Sequence, residues 1–260
     1  MSYQSKKQMY DDIVLDYAAT KTNRFKFKHE EPKLWSVMGD VKDLNILDFG
    51  CGSGYSTRQL KERGAKDVVG VDISGEMIKE ARHDEKETPL GISYDVGDAV
   101  NYISDRQYDI ITATYLFCYA ESRKMLEAMC QTMFKNIQPG GRLISVTTVL
   151  DKNCNLVDMN LGYRMVACPV SDNQENYENL LKVDYELFSE DRRSKCCFQN
   201  YLWKPEIIEE LLYSSGFTSV NIISILAGVP RVIFTAIRPE FSNDLIEDST
   251  QLDMNLSKKI

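Results

Sequence analysis

Three glycines at alternate positions, Gly50, Gly52 and Gly54, follow the apolar run 45–49 and precede a helical pattern. That order reads as a strand, a backbone-open turn and a helix N-terminus. Glycine reaches positive φ without strain, and the free N–H groups at a helix start face whatever lies on the turn, so the implied chemistry is the holding of a polar small molecule. The G-x-G-x-G spacing departs from the G-x-G-x-x-G of a dinucleotide turn and from the Gly-Lys-Ser/Thr ending of a phosphate loop. Two carboxylates follow where they would complete a nucleoside site. Asp72 closes the next apolar stretch, where it could accept from both hydroxyls of a ribose. Asp98, between Gly97 and Ala99, could accept from the exocyclic amine of a purine, with Ile73, Met77 and Ala99 sandwiching the ring. The competing role for either carboxylate is a helix cap or a solvated loop.

These residues need a scaffold that brings successive strand ends together. Residues 45–50, 67–72, 92–96, 108–113 and 142–149 read as strands, separated by helical patterns at 55–63, 75–85 and 121–134. That alternation predicts an α/β fold with a doubly wound parallel sheet, which binds ligands beyond the carboxyl ends of its strands. The glycine turn, Asp72, Asp98 and residues 114–119 all fall on that edge. A helix at 204–214 and a closely spaced strand pair, 220–225 and 232–237, end the pattern, the pair antiparallel because its connection is short.

Residues 8–19 form an amphipathic helical stripe and 30–38 a second helix, so residues 1–40 are expected to make an N-terminal helical cover. Residues 151–203 break the rhythm. Leu181, Val183, Tyr185 and Leu187 alternate there with polar residues and 196–203 is extended, which predicts a β-hairpin. The segment is expected to be an inserted cover within a single domain spanning 1–240, with 241–260 a flexible tail.

The 260 residues carry a net charge of −8, which repels polyanions and counts against a nucleic-acid surface. No apolar run reaches the length of a membrane span. The seven cysteines lack paired or zinc-ligand spacing, so neither a metal site nor a disulfide framework is expected, and the compartment is read as cytoplasmic. The assembly is expected to be a monomer or a homodimer.

With these motifs in hand, residues 47–54, 69–72, 96–99, 108–113 and 139–143 resemble the successive motifs of class I, Rossmann-like S-adenosylmethionine-dependent methyltransferases. The resemblance implies a seven-stranded, mostly parallel sheet ordered 3-2-1-4-5-7-6 with strand 7 antiparallel. It also implies S-adenosyl-L-methionine as cofactor, with Asp48 and residues 50–54 beside the methionine part, Asp72 on the ribose and Asp98 on the adenine amine. The cofactor-binding set expected is therefore Asp48, Gly50, Cys51, Gly52, Gly54, Asp72, Ile73, Met77, Gly97, Asp98, Ala99 and Thr114. Tyr17, Lys21 and Arg24 join it at the mouth, where an aromatic and a cation would suit an amino-acid carboxylate; Tyr17 could equally be a core aromatic.

Residues 17–32, 90–94, 113–120 and 201–206 are similar in texture to small-molecule members of the toxoflavin-synthase-like branch, with Cys118 standing where relatives commonly carry Asn or His. This implies a small-molecule acceptor, such as a planar heterocycle or secondary metabolite. Tyr115, Phe117, Cys118 and Tyr119, beyond the fourth strand, are the expected acceptor contacts, together with Tyr163, Arg164 and Tyr185 from the insertion. No catalytic base is assigned: His83 lies in a charged helix and His29 reads as a surface residue. Two other readings stay open, a methyltransferase-fold binding or regulatory subunit without catalysis and a tRNA or protein methyltransferase.

Overall fold

The computed structural model describes residues 26–150, 157–158, 163–167, 179–188 and 195–240. The expected helix at 8–19, with Tyr17, Lys21 and Arg24, and the expected tail at 241–260 lie outside them. A short π-helical turn, Lys26–Glu30, leads into α1, Glu31–Met38, which carries a proline in its first turn. The helices that follow are α2, Tyr55–Glu62; α3, Gly75–Glu87; α4, Arg123–Asn136; and α5, Pro205–Ser214. Ser74 and Ser122 cap α3 and α4, each side chain accepting the amide three residues on, from Met77 at 3.1 Å and Met125 at 3.3 Å.

The main sheet is built from β1, Asn45–Phe49; β2, Asp67–Asp72; β3, Ser93–Val96; β4, Tyr108–Thr114; β5, Ile137–Thr148; β10, Thr218–Ser224; and β11, Arg231–Ile237. Its order is β10-β11-β5-β4-β1-β2-β3, with β11 antiparallel to both neighbours and the rest parallel, as the resemblance implies. Consecutive strand residues enter opposite faces, and both faces are covered. Leu47, Val69, Ile111 and Leu143 bury against α4 and α5, whereas Ile46, Val68, Ile110 and Ile144 bury against α1 and α2. This explains why the central strands read as unbroken apolar runs. β5 starts earlier than the sequence pattern suggests, because Ile137 already pairs with Tyr108 and the Pro139-Gly140 turn lies inside the ladder, held by Gly140 N donating to Arg238 O at 2.9 Å.

Between β5 and α5 stands a second, antiparallel sheet of β6, Val157–Asp158; β7, Tyr163–Ala167; β8, Leu180–Phe188; and β9, Lys195–Trp203. The expected hairpin is β8–β9; the two further strands were not read from the sequence. β9 is tied to the main sheet at its end, where Leu150 N donates to Trp203 O at 2.8 Å and Trp203 Nε1 donates to Ala120 O at 2.9 Å. The small sheet therefore meets the carboxyl ends of β4 and β5. Among the described residues no helix is long and apolar enough to cross a membrane.

Candidate active site

The turn after β1 lies directly on β2. Gly50 N and Cys51 N both donate to Val71 O, at 2.8 and 3.2 Å, and Gly50, Gly52 and Gly54 all take positive φ, +68°, +55° and +86°. Gly54 is the N-cap of α2, and a Cβ there would stand 2.5 Å from the Tyr94 hydroxyl oxygen, so no other residue fits. Asp72, at the tip of β2, is held by the same turn: its Oδ2 accepts from Gly52 N at 2.8 Å and its Oδ1 from Ser74 N at 2.9 Å. Two amides thus fix the carboxylate plane, and each oxygen keeps further acceptor capacity. Asp98 accepts from Val100 N at 2.9 Å, a turn-capping bond that uses one acceptor position of its carboxylate. Capping and ligand binding are compatible for both residues.

These groups share an open cleft of about 780 Å³ at the carboxyl edge of the sheet. Of the residues expected from sequence, Gly50, Gly52, Asp72, Ile73, Met77, Gly97, Asp98, Ala99 and Thr114 line it, as do Tyr115 and Tyr119. Phe49, Val71, Leu116, Met125 and Met129 complete the wall and were not expected. The two methionines sit on a helical apolar stripe that reads as packing, and Met129 also belongs to the core cluster under the sheet.

Other expected residues stand behind the wall. Asp48 is buried and accepts from Thr57 Oγ1 and Thr112 Oγ1, each at 2.7 Å, which ties β1 to α2 and β4. Cys51 packs with Ile78, Ala81 and Tyr94. Phe117 and Cys118 are buried in the single 3₁₀ turn after β4, with Cys118 Sγ donating to Tyr115 O at 3.0 Å. Tyr163 and Arg164 lie on β7, opposite Leu187 and Glu186.

A buried polar knot borders the cleft; it joins Tyr115 and Tyr185, expected from the sequence as acceptor contacts, to Glu30 and Arg231, which were not expected. Glu30, 1% exposed, accepts from the Tyr115 hydroxyl and from Arg231 Nη1 at 3.4 Å; Arg231 Nη2 donates to Tyr185 Oη at 2.9 Å. Tyr115 holds a positive φ of 58° just beyond β4, unusual for a residue with a bulky side chain. Burial raises the Tyr115 and Tyr185 pKa values, with Arg231 opposing, so both phenols stay protonated near neutral pH. Burial works against the Arg231 charge, but Tyr115, Tyr185 and Glu30 outweigh it and raise its pKa. The adjacent Glu31 accepts from Tyr55 Oη at 2.9 Å, and burial followed by that bond pushes Tyr55 up to about 12. Glu30 and Glu31 therefore fasten the start of α1 to Tyr115 beyond β4 and to Tyr55 at the start of α2.

Residues 46–141 match the model of a family described as a methyltransferase domain. The matched segment, which takes in the glycine turn, Asp72 and Asp98, is similar to a methyltransferase domain. The ribosomal protein L11 methyltransferase of Burkholderia lata is similar at 30% identity over 123 residues, 47% of this chain and 38% of that relative. The chain thus spans well under half the length of the curated relatives it matches. Among solved structures, an S-adenosylmethionine-dependent methyltransferase from Clostridium acetobutylicum is similar with a TM-score of 0.61 and 19% identity, covering 91% of this chain and 99% of that one. DhpI in complex with SAH is similar with a TM-score of 0.64 and 18% identity, covering 93% and 100%. These last two likenesses are ones of fold.

S-adenosylmethionine is the cofactor of class I methyltransferases, and the residues of the cleft fit it. The cleft floor is a turn where side chains are barred, Asp72 is oriented by two amides, and small Gly97 and Ala99 stand beside Asp98. A nucleoside carrying an amino-acid tail matches that order of hydroxyl acceptors, apolar ring walls and open backbone.

Proposed function

We propose that the chain is a cytoplasmic enzyme that transfers a methyl group from S-adenosylmethionine to a small-molecule acceptor. The observation that carries this reading is Asp72, aligned by Gly52 N and Ser74 N, sharing one cleft with the glycine turn and Asp98. When bound, the cofactor supplies a sulfonium-activated methyl group. Asp72 would hold the ribose and Asp98 the adenine amine, while Ile73, Met77 and Ala99 would enclose the ring. Thr114, Tyr115 and Tyr119 would line the side on which the acceptor approaches. Alignment and exclusion of water would then supply most of the rate. The phenols of Tyr115, Tyr119 and Tyr185, all raised by burial, are neutral donors rather than bases near pH 7.

A small acceptor is supported by the second sheet, whose end is tied to Ala120 and Leu150 beyond the carboxyl ends of β4 and β5, and by the net charge of −8. The similarity to toxoflavin-synthase-like proteins belongs to this proposal. The relatives named for ribosomal protein L11 favour a second reading, a protein acceptor. The test incubates the protein with methyl-labelled cofactor and either a small-molecule extract or purified ribosomal protein L11. Label in the small-molecule fraction supports the proposal; label confined to protein supports the second reading.

A further inference from the structure

Between Glu210 and Arg231 the chain carries no charged residue: 211–230 is an uncharged run in a sequence that is 27% Asp, Glu, Lys and Arg. The run takes in the end of α5, the whole of β10 and the turn into β11. β10 is the outer strand of the main sheet, so one of its edges has no strand beside it among the described residues. Exposed apolar side chains gather in the same place. Of the six large ones among the described residues, Tyr213, Ile222, Leu226 and Ile237 lie on α5, β10, the turn and β11, while Val96 and Ile103 lie on and after β3. Ile222 opposes Phe234, which is buried with Leu211 and Leu212 of α5, so Ile222 and α5 share one face of the sheet. The opposite edge is guarded. β3 is four residues long, includes Asp95, and has its Tyr94 carbonyl oxygen accepting from Arg82 Nε at 3.1 Å, and shortness with charge is what keeps an edge from pairing. β10 carries no charge; a bulge at Ser219, with φ of +52°, leaves 221–224 in regular register.

We propose that this edge is the interface of a twofold homodimer, with β10 antiparallel to β10 of a second copy and Ile222 near the axis. A twofold interface sets a patch against itself, so any charge on it meets an identical charge. Two copies of a chain with net charge −8 repel each other, and the uncharged run is the surface on which they can meet without adding to that repulsion. A partner of different sequence imposes no such rule, because its charges can complement those it meets. The regular stretch of β10 is short, so the ladder between copies is short as well, and Tyr213, Ile222 and Leu226 supply the apolar centre of the patch.

The test is sedimentation velocity of the full chain from about 1 to 100 μM, where a standard-size interface between copies is populated. The parent should sediment as a dimer. Ile222→Lys should weaken the dimer by about tenfold or more, with Tm and S-adenosylhomocysteine binding at the parent values because the side chain lies outside both core and cleft; Leu226→Lys should act in the same way. Ile222→Glu alone should be weakened as much, and an equimolar mixture of the Ile222→Lys and Ile222→Glu variants should recover the dimer, since opposite charges then face each other across the axis. Val96→Lys, on the far edge of the sheet, should dimerise as the parent does. A parent that is monomeric throughout that range, a dimer that survives both lysine substitutions, a Lys and Glu mixture that stays monomeric, or loss of the dimer in Val96→Lys would overturn the inference. Cofactor binding is read separately, so each of these outcomes leaves the methyltransferase reading where it stands.

Discussion

Replacing Arg231 with methionine keeps the volume of the side chain and removes its charge from the knot beside the cleft. The Arg231 and Glu30 side chains are 6% and 2% exposed, and Glu30 would be left with the Tyr115 hydroxyl while Tyr185 loses its 2.9 Å donor. Removing one partner of a buried ion pair costs about 3 to 5 kcal/mol, because the other charge stays buried without compensation. With a urea slope near 3 kcal/mol/M, the unfolding midpoint should fall by about 1 to 2 M. Pairing Arg231→Met with Glu30→Gln removes the stranded charge and should recover most of that loss. Urea unfolding followed by tryptophan fluorescence reads both. A single variant within about 1 kcal/mol of the parent, or a double variant no better than the single, would refute the argument that the pair acts as a buried unit.

Asp72→Ala should weaken S-adenosylhomocysteine binding by about 10- to 100-fold, the value of charge-assisted hydroxyl contacts worth about 1.5 to 3 kcal/mol; an unchanged dissociation constant in calorimetry would remove Asp72 from the site. Gly54→Ala combines a φ of +86° with a Cβ 2.5 Å from Tyr94 Oη, so it should lose at least about 1 to 2 kcal/mol of stability, and a neutral thermal shift would contradict the turn geometry. Glu85 accepts from the amides of Leu90, Gly91 and Ile92 at 2.6, 2.7 and 3.2 Å and from Arg58 at 2.9 Å; burial opposes its charge, but these bonds win and lower its pKa. A carboxylate with a lowered folded pKa stabilises the fold above its unfolded pKa, near about 4.3, and loses that contribution as pH falls through the folded value. Glu85→Gln should therefore cost about 1 to 3 kcal/mol at pH 7 and progressively less in acid, a trend that urea titrations at stepped pH would show or refute.

The main sheet was legible because both of its faces are covered: Ile46-Leu47, Val68-Val69 and Ile110-Ile111 each send one side chain to each layer, which leaves unbroken apolar runs in the sequence. The glycine turn, Asp72 and Asp98 were legible because backbone-open turns and strand-end carboxylates are local features. Residues whose roles depend on distant partners were not. Asp48 sits one residue from the turn, yet strand alternation points it at Thr57 and Thr112 on the covered face. Glu30 and Arg231 are 201 positions apart and meet only after β11 pairs with β5, so no spacing could announce the ion pair. Met125 and Met129 follow the helical period of a core stripe, and the period cannot tell a core wall from a cleft wall when one face of α4 serves as both. In the insertion, alternation revealed β8 and β9, while β6 is two residues long and carries too little pattern to read.

The central claim is that the cleft at the carboxyl edge holds S-adenosylmethionine, and calorimetric titration of the full chain with S-adenosylmethionine and S-adenosylhomocysteine tests it most directly. The account predicts saturable binding of both at one site per chain, weakened together in Asp72→Ala and in Asp98→Ala with no loss of thermal stability beyond about 2 kcal/mol. No binding of either ligand by the folded protein, or binding that both variants leave unchanged, would contradict it.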